Sequence, residues 1–216
     1  MHFNASTIAT VLVVVVSGVI ATPVLIKGFA IRGSGRIYES DFSIQRLPQY
    51  AALVNVILIA LGFLAFNGSF AAGSPINLLA GTTDEASSMW QTISWVGVAI
   101  LVSGMIFMVG GWYSLGECFS TDAEVLNDHK VKNTGLLKWV MHPIYSGIIQ
   151  CLLGASVAAT SLVGVLFCVL VTGPLWLRRA KYEERLLIEN LGEPYKEYAE
   201  QTKWRRLVPK FFPIGV

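Results

Sequence analysis

The sequence predicts an all-α polytopic membrane protein with about five transmembrane helices, the last two forming a tight hairpin, and short cytosolic helices at the C-terminus. Of its 216 residues, 54% are hydrophobic and 14% are charged, whereas a soluble domain carries about 25% charged residues. The apolar residues form blocks of about 17–25 residues, the length needed to cross roughly 30 Å of hydrocarbon. All lysines and arginines lie in three segments outside the most apolar blocks.

Three spans are predicted in the N-terminal half, over about residues 8–26, 50–70 and 90–113. The first has no basic stretch before it and is long enough to span, so it is interpreted as a helix rather than as a cleavable signal peptide. Backbone inside lipid must satisfy its own hydrogen bonds, which favours helices throughout. We interpret residues 1–216 as a single membrane domain, with these three helices in 1–113.

A fourth and a fifth helix are predicted in the long apolar stretch from Pro143 to Leu177. This stretch is too long for one helix across a bilayer. It is interrupted by the polar sequence AATS at residues 158–161, which predicts a turn between two short helices. Pro143 suits the first turn of the fourth helix because its missing N–H is not needed there.

The C-terminal tail is predicted to leave the membrane as a helix over residues 178–191. Arg179 and Glu183 are four residues apart and are expected to pair on its surface. Gly192 suits the C-terminal cap, and Pro194 suits the first turn of a second short helix.

The distribution of basic residues predicts the orientation of the chain in the membrane. Of 16 lysines and arginines, four lie in residues 27–46, three in 130–138 and nine from residue 178 onward, whereas residues 71–89 have none. With five helices and an outside N-terminus, all three basic segments are cytoplasmic, as the positive-inside rule requires. The membrane is predicted to be a bacterial inner membrane or the endoplasmic reticulum.

The sequence contains no pattern that predicts a metal site. Cys118, Cys151 and Cys168 form no CxxC pair and no metal-ligand spacing, so we interpret them as three free thiols. The net charge of +2 gives little guidance to partners, and no nucleic-acid partner is predicted. The oligomeric state is not readable from the sequence.

Two polar sequences stand at the two ends of the predicted hairpin. MHPIYSG, at residues 141–147, precedes it, and RRAKYEERLL, at residues 178–187, follows it. The hairpin returns the chain to the same face of the membrane, so His142 is expected near Glu183 and Glu184. Taken singly, His142 would be an interfacial helix cap and the glutamates a solvated surface.

Taken together, these sequences resemble the membrane family of isoprenylcysteine carboxyl methyltransferases and phospholipid amine methyltransferases. The resemblance extends over residues 115 to about 213, and residues 114–216 are therefore interpreted as the cofactor-binding methyltransferase core. The positions that follow the family pattern in order are His129, Gly135, His142, Pro143, Tyr145, Gly147, Glu183, Glu184, Gly192, Tyr195, Tyr198 and Pro209.

The resemblance implies S-adenosylmethionine as the methyl donor and a lipophilic or lipidated acceptor at the cytosolic membrane face. A prenylcysteine carboxylate, a phospholipid amine and a small thiol all remain open as acceptors. It implies catalytic roles for His142, Arg178 and Glu184. The cofactor-binding residues that it implies are His129, Gly135, Leu136, His142, Pro143, Tyr145, Gly147, Tyr182, Glu183 and Glu184.

Two further sequence features bear on the resemblance and on the choice of cofactor site. Met141 stands where the family pattern has an arginine before His-Pro, and Arg178, Arg179 and Lys138 are candidates to replace that arginine. The GSG sequence at residues 33–35 is not interpreted as a nucleotide-binding loop, because no strand precedes it.

Two other classes of protein remain as alternatives. One is an NADPH-dependent oxidoreductase resembling the membrane sterol reductases, which end in a similar tail but lack the proline after the histidine. The other is a non-catalytic membrane protein. The first three spans contain no charged residue within them, which argues against an ion pathway.

Overall fold

The computed structural model describes residues 5–31, 33–35, 37–38, 41–66, 88–126, 130–202 and 207. The chain is an all-α polytopic membrane protein, as the sequence predicts. Its eight described helices are α1 (Ala5–Ala30), α2 (Phe42–Gln45), α3 (Leu47–Phe66), α4 (Ser88–Leu115), α5 (Pro143–Ala158), α6 (Leu162–Phe167), α7 (Gly173–Leu191) and α8 (Glu193–Gln201).

Four helical stretches of the described chain are long and apolar enough to cross a membrane. They are Ala5–Ala30, Leu47–Ala65, Met89–Cys118 and Leu162–Leu191. Helix α5 is apolar but has 16 residues, which at 1.5 Å per residue extends about 24 Å. The predicted end of the second span, near Phe70, lies outside the described residues.

The hairpin between α5 and α6 turns where the polar interruption predicts. Helix α5 ends at Ala158, and Thr160 follows in the left-handed region with a φ of 53°. Ser161 caps α6, since its Oγ accepts a hydrogen bond from the Gly164 N–H at 3.2 Å. A π-turn over Cys168–Thr172 then joins α6 to α7.

The chain divides into two compact units, each made of three chain segments. The first unit comprises Met1–Ser17, Gln49–Met105 and Ile148–Pro174. Within it, α4 and α5 approach closely at two glycines. A Cβ atom on Gly97 would lie 2.3 Å from the Ala158 nitrogen, and one on Gly154 would lie 2.4 Å from the Leu101 nitrogen.

Polar side chains of the first unit bond to each other and to helix backbone. Asn55 Nδ2 donates to the Gly164 carbonyl at 3.0 Å, and Thr172 Oγ1 donates to Asn55 Oδ1 at 3.4 Å. Both side chains are fully buried. This bonding satisfies groups that have no water to bind in an apolar interior.

The second unit comprises Gly18–Pro48, Ile106–Gly147 and Leu175–Val216. Two short strands, β1 (Ile37–Tyr38) and β2 (Glu124–Val125), pair antiparallel within it. Its buried apolar cluster joins the loop after α4, the turn before α5, α7 and α8. The cluster consists of Val125, Leu137, Met141, Leu186, Leu187, Tyr195 and Tyr198.

The two C-terminal helices meet at the predicted glycine. Helix α7 ends at Leu191, and Gly192 has a φ of 65°, a conformation that glycine adopts without a Cβ penalty. Pro194 lies in the first turn of α8. Both predictions are confirmed, whereas the predicted breaks at Pro209 and Pro213 lie outside the described residues.

Candidate functional site

A cleft in the second unit is lined by polar, aromatic and apolar side chains. Its empty volume is about 790 Å³, including the part open to solvent. Its polar and aromatic lining residues are Ser120, Asp122, Glu124, Lys130, Lys132, His142, Tyr145, Glu183, Tyr195 and Tyr198. Its apolar lining includes Leu115, Val131, Leu137, Met141, Ile144, Leu187 and Leu191.

The turn before α5 places His142 in this cleft. Gly135 opens a 3₁₀ turn over Gly135–Lys138 with a φ of 55°, and the Leu136 N–H donates to Ser114 Oγ at 3.1 Å. The chain then enters α5 at Pro143, where the His142 carbonyl accepts from the Ser146 N–H at 3.1 Å. His142 is therefore the last residue before the helix.

His142 lies against Glu184 of α7. Its Nε2 is 3.3 Å from Glu184 Oε1, and both side chains are less than a tenth exposed. This separation between nitrogen and oxygen suits an ion pair. The two groups are not aligned as a hydrogen bond requires, and within the described part of the chain His142 Nε2 makes no hydrogen bond. The imidazole ring also stacks on Tyr145, with centroids 5.3 Å apart and planes 2° apart. The Nε2 nitrogen is thus buried against the Glu184 carboxylate, while the ring itself lines the cleft.

Tyr145 links α5 to α7 through its hydroxyl. That hydroxyl donates to Glu183 Oε2 and accepts from Arg179 Nε at 3.1 Å. Its ring packs against Trp176, with centroids 4.9 Å apart. Glu183 and Tyr145 both line the cleft. The side of the cleft formed by α7 therefore presents the Glu183 carboxylate, which the Tyr145 hydroxyl holds in place.

Arg179 is buried, with 2% of its surface exposed. The prediction that it pairs with Glu183 on the helix surface is therefore wrong. Its two terminal nitrogens donate to the Gln45 and Thr121 carbonyls, each at 2.9 Å. Arg179 therefore connects α2, the loop after α4 and Tyr145. Arg178, by contrast, is exposed, donates to Ser43 Oγ at 2.9 Å and does not line the cleft.

Helix α8 closes one end of the cleft with two tyrosines. The Tyr198 hydroxyl donates to the Leu137 carbonyl at 2.8 Å, and burial raises its pKa to about 12. Burial raises the pKa of Tyr195 well above its usual value, and the charges of Glu183 and Glu184 raise it further. The region around Tyr195 therefore disfavours an additional negative charge.

The predicted site residues fall into three groups. His142, Pro143, Tyr145 and Glu183 line the cleft, and Glu184 contacts His142 behind it. Gly135, Leu136, Gly147, Tyr182 and Arg178 lie in the same unit but do not line the cleft. His129 lies outside the described residues.

Sequence reasoning missed the wall formed by the loop after α4. Asp122 and Glu124 line the cleft and are both 6% exposed. The only local signal is the acidic pair in STDAEV at residues 120–125, which by itself is typical of a solvated loop. The partners that hold this wall lie 76–91 residues earlier in the chain, a separation that local patterns do not report.

Comparison with known proteins adds a family to this geometry. Residues 95–189 match the model of the Isoprenylcysteine carboxyl methyltransferase (ICMT) family. That range includes α5, the hairpin and α7 up to Glu189.

Individual relatives are distant. Proteins of Oryza sativa subsp. indica and subsp. japonica, each named probable protein-S-isoprenylcysteine O-methyltransferase, are 25% identical over 120 residues, 55% of this chain. The chain spans 62% of the length of these rice relatives. Protein-S-isoprenylcysteine O-methyltransferase B of Arabidopsis thaliana is 22% identical over 179 residues, which is 82% of each chain.

Proposed function

From the match of residues 95–189 to the model of the isoprenylcysteine carboxyl methyltransferase family, we propose that the protein is an S-adenosylmethionine-dependent membrane methyltransferase. It transfers a methyl group to a lipophilic acceptor at the cytosolic face of the membrane. The observation that carries this proposal is the cleft in which His142, Tyr145 and Glu183 meet beside the start of α5.

The chemistry of the lining residues suits S-adenosylmethionine. A carboxylate at Glu183 is an acceptor for ribose hydroxyls or for an ammonium group. Lys130 and Lys132 line the same cleft and complement a carboxylate. The ring of His142, stacked on Tyr145, lines the same cleft.

When bound, S-adenosylmethionine supplies a methyl group activated by its sulfonium. The residues of the chain orient the ligand and exclude water, since alignment is the main requirement of a displacement. The ring of His142 is fixed by its stacking on Tyr145 and by Glu184. Glu184 therefore acts through His142. We keep His129, Gly135, Leu136, Gly147 and Tyr182 as cofactor-binding candidates from the family pattern, and Arg178 as a catalytic one.

We propose the carboxylate of a prenylated cysteine as the first acceptor to test. The names of the rice and Arabidopsis relatives support this choice. A carboxylate is already a nucleophile at neutral pH and needs no general base, whereas an amine or a thiol has to lose a proton. The apolar side chains on the cleft wall, such as Ile144 and Leu187, suit a lipophilic group.

The proposed orientation has the N-terminus outside and the C-terminal tail in the cytosol. It is supported by the three basic segments, all of which the predicted topology of five spans places on one side. The cofactor, which is polar, then enters from the cytosol, and the membrane is a bacterial inner membrane or the endoplasmic reticulum.

The test is calorimetric titration of S-adenosylhomocysteine into detergent-purified protein and into His142→Ala and Glu184→Ala. We expect micromolar binding by the wild type and loss of about tenfold or more in affinity in each variant, since His142→Ala removes a lining side chain and Glu184→Ala removes the carboxylate that holds it. Glu193→Ala is the matched control, because Glu193 pairs with Lys196 on the exposed face of α8 and should bind as the wild type does.

Transfer of a labelled methyl group to a farnesylcysteine analogue then identifies the acceptor. Transfer to phosphatidylethanolamine or to a small thiol instead would change the acceptor and keep the enzyme class. Absence of S-adenosylhomocysteine binding, with thermal protection by NADPH, would contradict the proposal.

A further inference from the structure

We infer that four residues outside the family-matched segment position one wall of the cleft: Gly33, Gly35, Gln45 and Arg46. We call them the clamp residues. They lie between α1 and α3, whereas the wall they hold is the loop Ser120–Val125. What the cleft binds rests on the proposed function, but the holding of the loop does not.

The first contact of the clamp is a carboxylate bound by backbone amides. The N–H groups of Gly33 and Gly35 donate to the two oxygens of Glu124, at 3.1 Å and 2.8 Å. Ser120 Oγ donates to the same carboxylate. Successive backbone N–H groups in a turn form an anion-binding concavity, and here the anion is a side chain of the chain itself. The GSG sequence therefore binds Glu124.

The second contact is a side-chain amide that pairs with backbone. Gln45 Nε2 donates to the Ala123 carbonyl at 2.9 Å, and the Ala123 N–H donates to Gln45 Oε1 at 3.0 Å. Gln45 is 2% exposed. The side chain thus completes both hydrogen bonds of one loop residue.

The third contact is a two-pronged ion pair. Arg46 donates to both oxygens of Asp122, at 2.8 Å and 3.2 Å, and the Asp122 side chain is 1% exposed. Paired hydrogen bonds between a guanidinium and a carboxylate fix orientation as well as distance. The strand pair Ile37↔Val125 and Tyr38↔Glu124 adds backbone pairing between the same two segments.

These contacts determine whether Asp122 and Glu124 bind a ligand or only shape the wall of the cleft. Both line it, yet every oxygen of the two carboxylates already accepts a hydrogen bond from the clamp. Among the described residues, Glu183 lines the cleft with one oxygen held by Tyr145 and the other outside such contacts. Asp122 and Glu124 therefore shape the wall, and the clamp sets ligand affinity without touching the ligand.

The experiment combines hydrogen–deuterium exchange of the loop with ligand binding. Gly35→Ala breaks the first contact, because its Cβ would lie 2.7 Å from Glu124 Oε2. Arg46→Ala breaks the third, and Arg46→Lys keeps the charge but not the two-pronged geometry. The matched controls are Gly18→Ala, whose Cβ meets nothing within 4 Å, and Lys196→Ala, which breaks the exposed ion pair of α8.

We expect amide exchange in residues 120–125 to be at least about tenfold faster in Gly35→Ala and Arg46→Ala, as the loss of charge-assisted hydrogen bonds implies. The Kd for S-adenosylhomocysteine and the KM for the methyl donor should rise by a similar factor while kcat stays unchanged. Arg46→Lys should recover part of both losses, and the two controls should behave as the wild type.

Unchanged exchange in the loop would overturn the clamp, and faster exchange with an unchanged Kd would overturn its control of affinity. Equal losses in Arg46→Ala and Lys196→Ala would do the same, because general destabilisation would then explain them. If the wild type binds no S-adenosylhomocysteine, the proposed function fails, and the exchange result alone decides whether the clamp holds the loop.

Discussion

At the scale of single residues, Arg178 and Arg179 show how one position along a helix changes a side chain's surroundings. Successive residues of a helix point about 100° apart. Arg179 and Glu183 are one turn apart, and both reach the Tyr145 hydroxyl. Arg178 points instead to Ser43. The sequence identifies both as candidates, but only the packing of α7 decides which one is buried.

The hydroxyl of Tyr198 makes stability depend on alkaline pH. Its pKa is about 12 when folded and about 10 when unfolded. A raised pKa means that its contribution is complete below pH 10 and is lost as the pH rises to 12. We expect the free energy of unfolding in detergent to fall over this range, by on the order of 2 kcal/mol from this group.

Tyr198→Phe checks this expectation by denaturant titration below pH 10 and between pH 10 and 12. The variant should start less stable by about 1 kcal/mol, because its hydrogen bond to Leu137 is lost, and its alkaline decline should be shallower. Tyr113→Phe, which removes an exposed hydroxyl bonded to the Ile20 carbonyl, is the control for the loss of one hydrogen bond below pH 10. An unchanged decline in Tyr198→Phe would contradict the assignment.

At the scale of elements, the parts that the sequence predicts well are those set by local signals. The hairpin turn at residues 158–161 follows from a polar interruption in an apolar stretch, and the end of α7 follows from Gly192. The short strand pair and the clamp were not predicted. They depend on residues such as Gln45 and Ala123, which are 78 positions apart, and neither carries a local pattern that names its partner.

The closeness of α4 and α5 makes Gly154 intolerant of a side chain. A Cβ there would lie 2.4 Å from the Leu101 nitrogen and 2.7 Å from the Gly97 carbonyl oxygen. Because both are backbone atoms, a helix has to move. Gly154→Ala should destabilise the protein by about 1–3 kcal/mol, measured as thermal unfolding in detergent.

The control for Gly154→Ala is Gly18→Ala, the same chemical change on the exposed face of α1, where the new Cβ meets nothing within 4 Å. Alanine favours a helix over glycine by about 1 kcal/mol, so this variant should be as stable as the wild type or more so. A loss of stability of the same size in both variants would contradict the packing argument.

At the scale of the whole molecule, the proposed orientation rests on the distribution of basic residues. A reporter that is active only in the cytosol should be active when fused after residue 216 and inactive when inserted within residues 71–87, a region without lysine or arginine. Activity at both positions or a reversed pattern would contradict the proposed orientation. Replacing Lys130, Lys132 and Lys138 by glutamine is a second test, because it removes the charge of one of the three basic segments. This variant should show a weaker preference for the orientation with the C-terminal tail in the cytosol, measured with the same reporter.

The Arg46–Asp122 pair also has a consequence for the boundaries of a fragment of this protein. The family match begins at residue 95, yet the loop that lines the cleft is bonded to residues 33–46. A fragment that begins at the family boundary would leave the Asp122 carboxylate and the Ala123 backbone without these partners. The segment that matches the family model is thus smaller than the segment whose contacts shape the cleft, because four of those contacts come from residues 33–46.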